Sequence, residues 1–443
     1  MNNGPSETLG GPHPRPLQRA RRHGRRYLQS RVLRQGSGFV VASLAASVIG
    51  GVITVVLARL MTVDHYAVYS FSNSVLGFTT LFFEFGLLVP ASRRLSTASP
   101  RERAGLLGAA TTVMGALAIA FSLTVFALSF VVDQLFSVHA GSALRVTALV
   151  AAGWSMAQGC LMLAQGVGRI GVYSVATVAS KALYLAVIVA FLGLGLHISP
   201  VWALVIESSA LLVAFTWMLA RLRPAWIDIP RHLRELVREA RAYGFAIYVG
   251  RVLAIGTYNM DVLMLGWFAR PRDVAFYALA GAIAAPVSLA STGLSTALFG
   301  SMAQSARLRR SWLAATIGIS IAGVFTATAL AYPFVHLVLG QRYATVIGLV
   351  PILALAQGIN GVTRLYNSYL WSHARGKDLR TASIALTVTN VILNFALIPT
   401  FGAAGAAWAS VLALVVNLAL HIIGYRRTVA AEPASPGGLT STS

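Results

Sequence analysis

The chain is organised around the stretch from Thr257 to Ala280, TYNMDVLMLGWFARPRDVAFYALA, which predicts an apolar helix containing Asp261, a short polar turn and a second apolar helix. An earlier stretch from Ile49 to Ser72, IGGVITVVLARLMTVDHYAVYSFS, has the same pattern at an offset of 208 residues. The shared spacing indicates an internal repeat. It aligns Leu57 with Leu265, Ala67 with Ala275 and Tyr69 with Tyr277.

The composition is that of a polytopic membrane protein. Of the 443 residues, 56% are hydrophobic and 11% are charged, and the mean hydropathy is +0.71. The apolar residues fall in repeated runs of about 20, the length that crosses a bilayer core. The single cysteine, Cys160, excludes a disulfide framework and a cysteine-based metal site, and is expected to be a small core residue.

Twelve apolar spans can be drawn along the chain, which predicts an all-α integral membrane fold. They join into two six-helix lobes, with the N-lobe over residues 38–220 and the C-lobe over residues 243–425. The spans cover residues 38–60, 67–91, 105–131, 142–164, 172–196, 200–220, 243–268, 274–302, 312–336, 345–371, 380–399 and 403–425.

Basic residues are concentrated on one side of these spans. Tails and loops on that side carry 27 of the 35 lysines and arginines, whereas the opposite loops carry Arg270, Arg272 and Arg342. Cytoplasmic loops carry such an excess, so both termini are predicted to be cytoplasmic. Topology therefore accounts for the net charge of +22, and nucleic acid is not an expected partner.

Three segments lie outside the lobes. Residues 1–37 form a basic cytoplasmic tail that is expected to meet anionic lipid headgroups. Residues 221–242 are predicted to be a basic amphipathic linker helix with Leu233, Leu236 and Val237 on its apolar side. Docking of a partner protein on this helix is the alternative. Residues 426–443 are small and polar at their end and are predicted to be a disordered cytoplasmic tail.

Charged residues within the spans are functional candidates, because a charge in the bilayer core is costly unless it faces a cavity or a partner. At a rise of about 1.5 Å per residue, four of them fall roughly 10–15 Å from the cytoplasmic face. The others lie farther out, where Arg59 and Arg145 can snorkel and an interhelical hydrogen bond by Glu207 is as plausible as a function. The four inner residues are Glu84, Lys181, Arg251 and Arg364.

A site built from these inner residues would carry a net positive charge. Lys181, Arg251 and Arg364 are therefore predicted to bind a phosphate or pyrophosphate headgroup through charge-assisted hydrogen bonds. Alternatively, Glu84 pairs with Lys181 or Arg251 and only holds helices together. Glu84 and Asp261 are candidates for coupling or gating, and no catalytic, cofactor or metal site is predicted.

Several segments together resemble the polysaccharide flippase (Wzx-type) family of the multidrug/oligosaccharidyl-lipid/polysaccharide superfamily. They are LARLMTVDHYAVYSF, LMLAQGVGRIGVYS, NMDVLMLGWFARPRDVAFYALA, LVLGQRYATVIGLVPILALAQG and NVILNFALIPTFGAAGAAWAS. The resemblance implies twelve helices in two lobes around a central cavity in a bacterial inner membrane. It also implies a cationic cavity, which Lys181, Arg251 and Arg364 would supply, and Asp261 matches the family pattern before its LxLG segment.

By this resemblance the chain is a flippase, not an enzyme, that moves a polyprenyl-pyrophosphate-linked oligosaccharide to the outer leaflet by alternating access. The expected partners are this anionic cargo, membrane lipids and glycan-assembly proteins. Two alternatives remain. The first is a multidrug or cation antiporter of the same superfamily, which three buried cations disfavour. The second is a membrane-embedded glycan polymerase or ligase, which usually needs a large outer loop that the sequence does not contain.

Overall fold

The computed structural model describes residues 16–83, 88–241 and 259–431, with side chains described from residue 38 to residue 430. All regular structure in these ranges is helical. The first half contains α1 (Pro16–Leu60), α2 (Val63–Phe82), α3 (Leu88–Thr97), α4 (Pro100–Leu135), α5 (Gly141–Thr147), α6 (Ala152–Val167), α7 (Ile170–Gly193), α8 (Pro200–Leu222) and α9 (Ile229–Glu239). The second half contains α10 (259–268), α11 (Pro271–Ala284), α12 (Pro286–Met302), α13 (Arg310–Phe334), α14 (Thr345–Ser372) and α15 (Gly376–Ala431).

Local sequence signals set several helix starts. Thr62, Ser99 and Ser199 precede α2, α4 and α8, and each side-chain oxygen accepts a hydrogen bond from the backbone N–H three residues later. Proline follows Ser99 and Ser199 at the first helical position, where its missing N–H leaves no helical hydrogen bond unmade. The apolar runs between these caps then form the spans.

Eight of the described helices are long and apolar enough to cross a membrane, or nine when the bent pair α5 and α6 is counted as one span. α15 is a single 56-residue element, but Gly402 has non-helical backbone angles at the break between the last two predicted spans. α5 and α6 bend by 59° within the predicted fourth span. The all-helical membrane fold is confirmed, and the count of twelve stays a prediction.

Helices of each half pack mainly with one another. α7 contacts α1 and α8, and α6 contacts α3, α4 and α8, whereas α14 contacts α12, α13 and α15. The two halves meet chiefly where α2 packs against α11. The largest hydrophobic core runs through this contact and includes Leu57, Phe71, Leu265 and Ala275. The lobe boundaries at 38–220 and 243–425 remain predictions.

Two predictions need correction, one about where the C-terminal tail begins and one about which side of the linker helix is buried. The tail predicted to be disordered from Arg426 is helical over residues 426–431, because α15 continues to Ala431. The linker helix α9 buries His232 and Leu236, whereas Val237 from the predicted apolar side is exposed. α9 packs against α3 and α4, and this contact, rather than the pattern of apolar residues alone, determines which of its side chains are buried.

Candidate functional site

A polar cavity of about 530 Å³ lies between the two halves of the chain. Helices α1, α2, α6, α7 and α8 contribute to its wall from the first half, and α10 and α11 contribute from the second. Asn259 of α10 packs over Gly77 of α2, where an added Cβ would lie 3.3 Å from the amide nitrogen. Six of the polar residues along the wall are Ser70, Asn73, Ser74, Gln158, Lys181 and Glu207.

Lys181 and Glu207 form an ion pair inside this cavity. The Lys181 Nζ lies 2.8 Å from Glu207 Oε1. Tyr69 donates its hydroxyl to Glu207 Oε2 at 2.9 Å, and the Asn73 amide donates to the same oxygen at 3.3 Å. The two carboxylate oxygens thus accept from three donors, one of which is positively charged, and these contacts offset the cost of burying the carboxylate.

Sequence reasoning found Lys181 but not its partner. Measuring depth along straight helices placed Lys181 in the inner part of the membrane and Glu207 in the outer part. The structure brings the two side chains together across the α7–α8 contact. A count of helical residues gives the two Cα atoms different depths in the membrane. The four-carbon stem of lysine is long enough to bridge that difference, so the charged ends of the two side chains can meet.

The other predicted headgroup residues are not brought to this cavity by the described structure. Arg364 is exposed on α14 and does not contribute to the cavity wall. Arg251 and Glu84 lie outside the described residues. The grouping of Lys181, Arg251 and Arg364 around one headgroup therefore remains a prediction.

Asp261 on α10 lies in a second polar cluster, within the second half. Three neutral side chains donate to its buried carboxylate: Tyr277 at 2.5 Å, Asn394 at 2.6 Å and Ser410 at 2.6 Å. Asn394 also donates to Asn390, and its own carbonyl oxygen is buried with no hydrogen-bond partner among the described residues. The carboxylate, hydroxyl and amide oxygens in this cluster are the ligand types that hard cations take.

The two polar clusters share one chemical unit. Tyr69 and Tyr277 are aligned by the 208-residue offset, and each donates its hydroxyl to a buried carboxylate. The first carboxylate has a lysine partner, whereas the donors to Asp261 among the described residues are all neutral. The repeat thus carries the same tyrosine–carboxylate contact in two different charge environments.

Contacts between the halves close one end of the molecule. Arg272 donates to Asp64, its partner at the 208-residue offset, at 3.1 and 3.3 Å. Ser137, between α4 and α5, donates to the carbonyl oxygens of Gly266 and Ala269 at the end of α10. Arg342, between α13 and α14, donates to the carbonyl oxygens of Ala58 and Arg59 at the end of α1. The loops of each half therefore bind a helix end of the other.

Solved structures show the class of protein to which this fold belongs. The lipid II flippase MurJ in an inward closed conformation matches with a TM-score of 0.70 and 13% identity, covering 88% of this chain and 89% of that chain. An inward-facing multidrug resistance MATE transporter matches with a TM-score of 0.65 and 17% identity, covering 87% and 95%. At these identities the comparison shows the fold alone, and the fold is that of the two solved proteins.

Sequence comparison gives the particular family. The family model described as polysaccharide biosynthesis protein matches residues 32–306, and the chain belongs to this family. The curated protein "Probable flippase AglR" of Haloferax volcanii is 25% identical over 185 residues, which is 39% of each chain. The predicted family resemblance is confirmed: the chain belongs to the polysaccharide biosynthesis protein family, is similar over part of its length to a protein named as a probable flippase, and is a multi-pass membrane protein.

Proposed function

We propose that this protein moves a polyprenyl-pyrophosphate-linked oligosaccharide from the cytoplasmic to the outer leaflet of a bacterial inner membrane. Such a cargo has a long apolar chain, an anionic linkage and a polar glycan. A single transporter must therefore offer an apolar surface directly beside a polar, charge-bearing cavity.

The main support for this proposal is that the polar cavity adjoins an apolar groove. An apolar groove of about 520 Å³, lined by α1, α11, α12 and α13, shares Thr54 and Ala282 with the wall of the polar cavity. Leu330, which borders the groove, is 57% exposed, so the groove reaches the outer surface of the bundle. A lipid tail in the groove would place its headgroup and sugars in the polar cavity.

The polar wall suits the two hydrophilic parts of this cargo. Asn73, Gln158 and Asn259 carry amides that hydrogen-bond sugar hydroxyls, and Trp154 offers a ring held by a 3.2 Å hydrogen bond to Ser208. Lys181 contributes a cationic group for the phosphate in this wall. Arg251 and Arg364 remain the other ligands predicted from the sequence, and Arg364 does not line the cavity in the described conformation.

Alternating access accounts for the closed end. The excess of basic residues assigns both termini to the cytoplasm and the Asp64–Arg272 end to the outer side. In this orientation the described conformation is closed outward. Release of the cargo requires the contacts of Ser137, Arg272 and Arg342 to break as the two halves rock.

Replacing Arg251 and Arg364 together with alanine tests the headgroup site. In a protein shown to be inserted at the wild-type level, the double variant is expected to lose glycan export, and cells should accumulate the lipid-linked precursor. Unchanged export would contradict the site. Drug efflux measured in the same strains separates the antiporter alternative, because an antiporter would change drug tolerance and leave the glycan unaffected.

A further inference from the structure

The two partners of the cavity ion pair differ in their exposure. The Glu207 side chain is 5% exposed and packs against Tyr69 and Asn73, whereas the Lys181 side chain is 30% exposed and borders the cavity. An anion that enters the cavity therefore meets the ammonium group first. It must compete with Glu207 for that group.

The outcome of this competition depends on the charge of the entering anion. A phosphodiester carries a single negative charge, as the Glu207 carboxylate does, so exchanging one for the other gains no charge and leaves a buried carboxylate without its cation. Leaving one charge of a buried pair uncompensated is strongly unfavourable. A pyrophosphate linkage carries at least two negative charges and attracts the ammonium group more strongly at the same distance.

We infer that Glu207 is a specificity-determining residue that masks Lys181 against singly charged phosphodiesters and leaves it available to a pyrophosphate. Bulk anionic phospholipids are phosphodiesters and surround the protein at high concentration. A flippase with an unmasked lysine beside a lipid-accessible groove would bind them in place of its cargo. This inference rests on the proposed function, because it names the headgroup that the same cavity selects.

The test is a binding comparison with two ligands that share one tail. Purified full-length protein in phosphatidylcholine nanodiscs is titrated with farnesyl diphosphate and with farnesyl methyl phosphate, a phosphodiester. The wild type is expected to prefer the diphosphate. Glu207→Gln keeps the shape of the side chain and removes its charge, so the preference should fall by about tenfold, mainly through tighter binding of the phosphodiester.

Further variants separate unmasking from a structural effect. Lys181→Gln combined with Glu207→Gln should abolish the gain in phosphodiester binding, because no ammonium group is left to unmask. Glu207→Asp withdraws the carboxylate by one methylene and should give a preference between those of wild type and Glu207→Gln. The Glu207→Asp variant also allows the inference to be tested if Glu207→Gln does not fold. Glu102→Gln, at an exposed helix start, is the matched control and should behave as wild type.

An unchanged preference in folded Glu207→Gln or Glu207→Asp would overturn the inference, as would a gain that persists in the double variant. The assay contains no glycan. If the preference shifts as expected but cells show no export of a lipid-linked glycan, the proposed function fails while the masking of Lys181 stands.

Discussion

Asp261 is the residue that we propose links transport to an ion gradient. Its carboxylate is buried among hydroxyl and amide donors, and these donors supply no positive charge. We propose that this carboxylate is the place where a coupling ion binds during transport. The polar cluster around Asp261 is separate from the Lys181 cavity. An ion bound at Asp261 could therefore follow the conformation of the protein without competing with the cargo for its site.

Asp261→Asn tests this role. The variant should lose the response of transport to an imposed proton or sodium gradient, because its side chain cannot bind either ion at neutral pH. Transport in proteoliposomes, measured with and without each gradient, checks the prediction. Asp378→Asn, which changes a carboxylate paired with Arg375, should keep the response. An Asp261→Asn variant that still follows the gradient would exclude Asp261 as the coupling residue.

At the residue scale, the sequence could identify charges but not their partners. Asp261 stands out because a carboxylate in an apolar run is costly, and the structure gives it a dedicated set of donors. The pairing of Lys181 with Glu207 depends on how α7 and α8 pack and on the reach of the lysine stem. Neither quantity is encoded in residue spacing.

At the element scale, close helix packing holds the cavity wall in position. Gly153 of α6 faces the backbone of α8, where an added Cβ would lie 2.5 Å from Leu212 N and 2.8 Å from Ser208 O. Backbone atoms cannot move aside as a flexible side chain can. The glycine therefore sets the distance between α6 and the helix that carries Glu207.

Gly153→Ala is expected to destabilise the protein by about 1–3 kcal/mol, because the α6–α8 contact must open to admit the methyl group. The thermal unfolding midpoint in detergent measures this loss. Gly115→Ala in α4 is the matched control, since nothing lies within 4 Å of its added Cβ. Equal midpoints for the two variants would show that the α6–α8 contact is not close-packed.

The docking of α9 on the cytoplasmic side depends on the charge of Glu235. Partial burial raises the pKa of this carboxyl, but Arg94 at 2.7 Å and Arg231 at 3.3 Å outweigh that effect and lower the pKa overall. A lowered pKa means that the stabilisation is present above the pKa of the unfolded state. It is lost as the pH falls through the folded-state value.

Glu235→Gln should therefore be less stable than wild type above about pH 5, and the difference should vanish at lower pH. Unfolding midpoints measured across this range check the prediction. Glu102→Gln should show a smaller difference, because Glu102 lies 4.0 Å from Arg94 and is more exposed. A Glu235→Gln difference that grows as the pH falls would contradict the assigned ion pair.

The sequence predicted elements better than it predicted their faces. The apolar runs located the described spans, and the change of span after residue 399 anticipates the break at Gly402. Val237 was predicted to lie on the buried face of α9 but is exposed. A short amphipathic helix has several apolar residues, and the helices that pack against it determine which of them are buried.

At the scale of the whole molecule, closure depends on contacts between repeat-related positions. Asp64 and Arg272 are exposed, and such pairs contribute little stability by themselves. They nevertheless join the starts of α2 and α11, the helices through which the two halves meet. Their effect is therefore expected on the balance of conformations rather than on folding.

Asp64→Arg places two arginines together and should shift the population toward the outward-open state by about threefold at low salt. A cysteine at Gln158, in a background with the buried Cys160 changed to serine, reports this shift through its reaction with an impermeant thiol reagent added outside. Adding Arg272→Asp reverses the pair and should restore the wild-type rate. Failure of this second change to restore the rate would exclude the pair as a closing contact.

Movement of the proposed cargo between leaflets can be measured after reconstitution of the purified protein into vesicles that contain a fluorescent polyprenyl-pyrophosphate-linked glycan. Access of an impermeant glycan-modifying reagent to the labelled lipid reports movement between leaflets. Wild-type protein is expected to make the inner-leaflet pool accessible, whereas the Arg251→Ala and Arg364→Ala double variant is not. Wild-type protein, inserted and folded, that leaves this pool inaccessible under every imposed ion gradient would contradict the proposed flippase function.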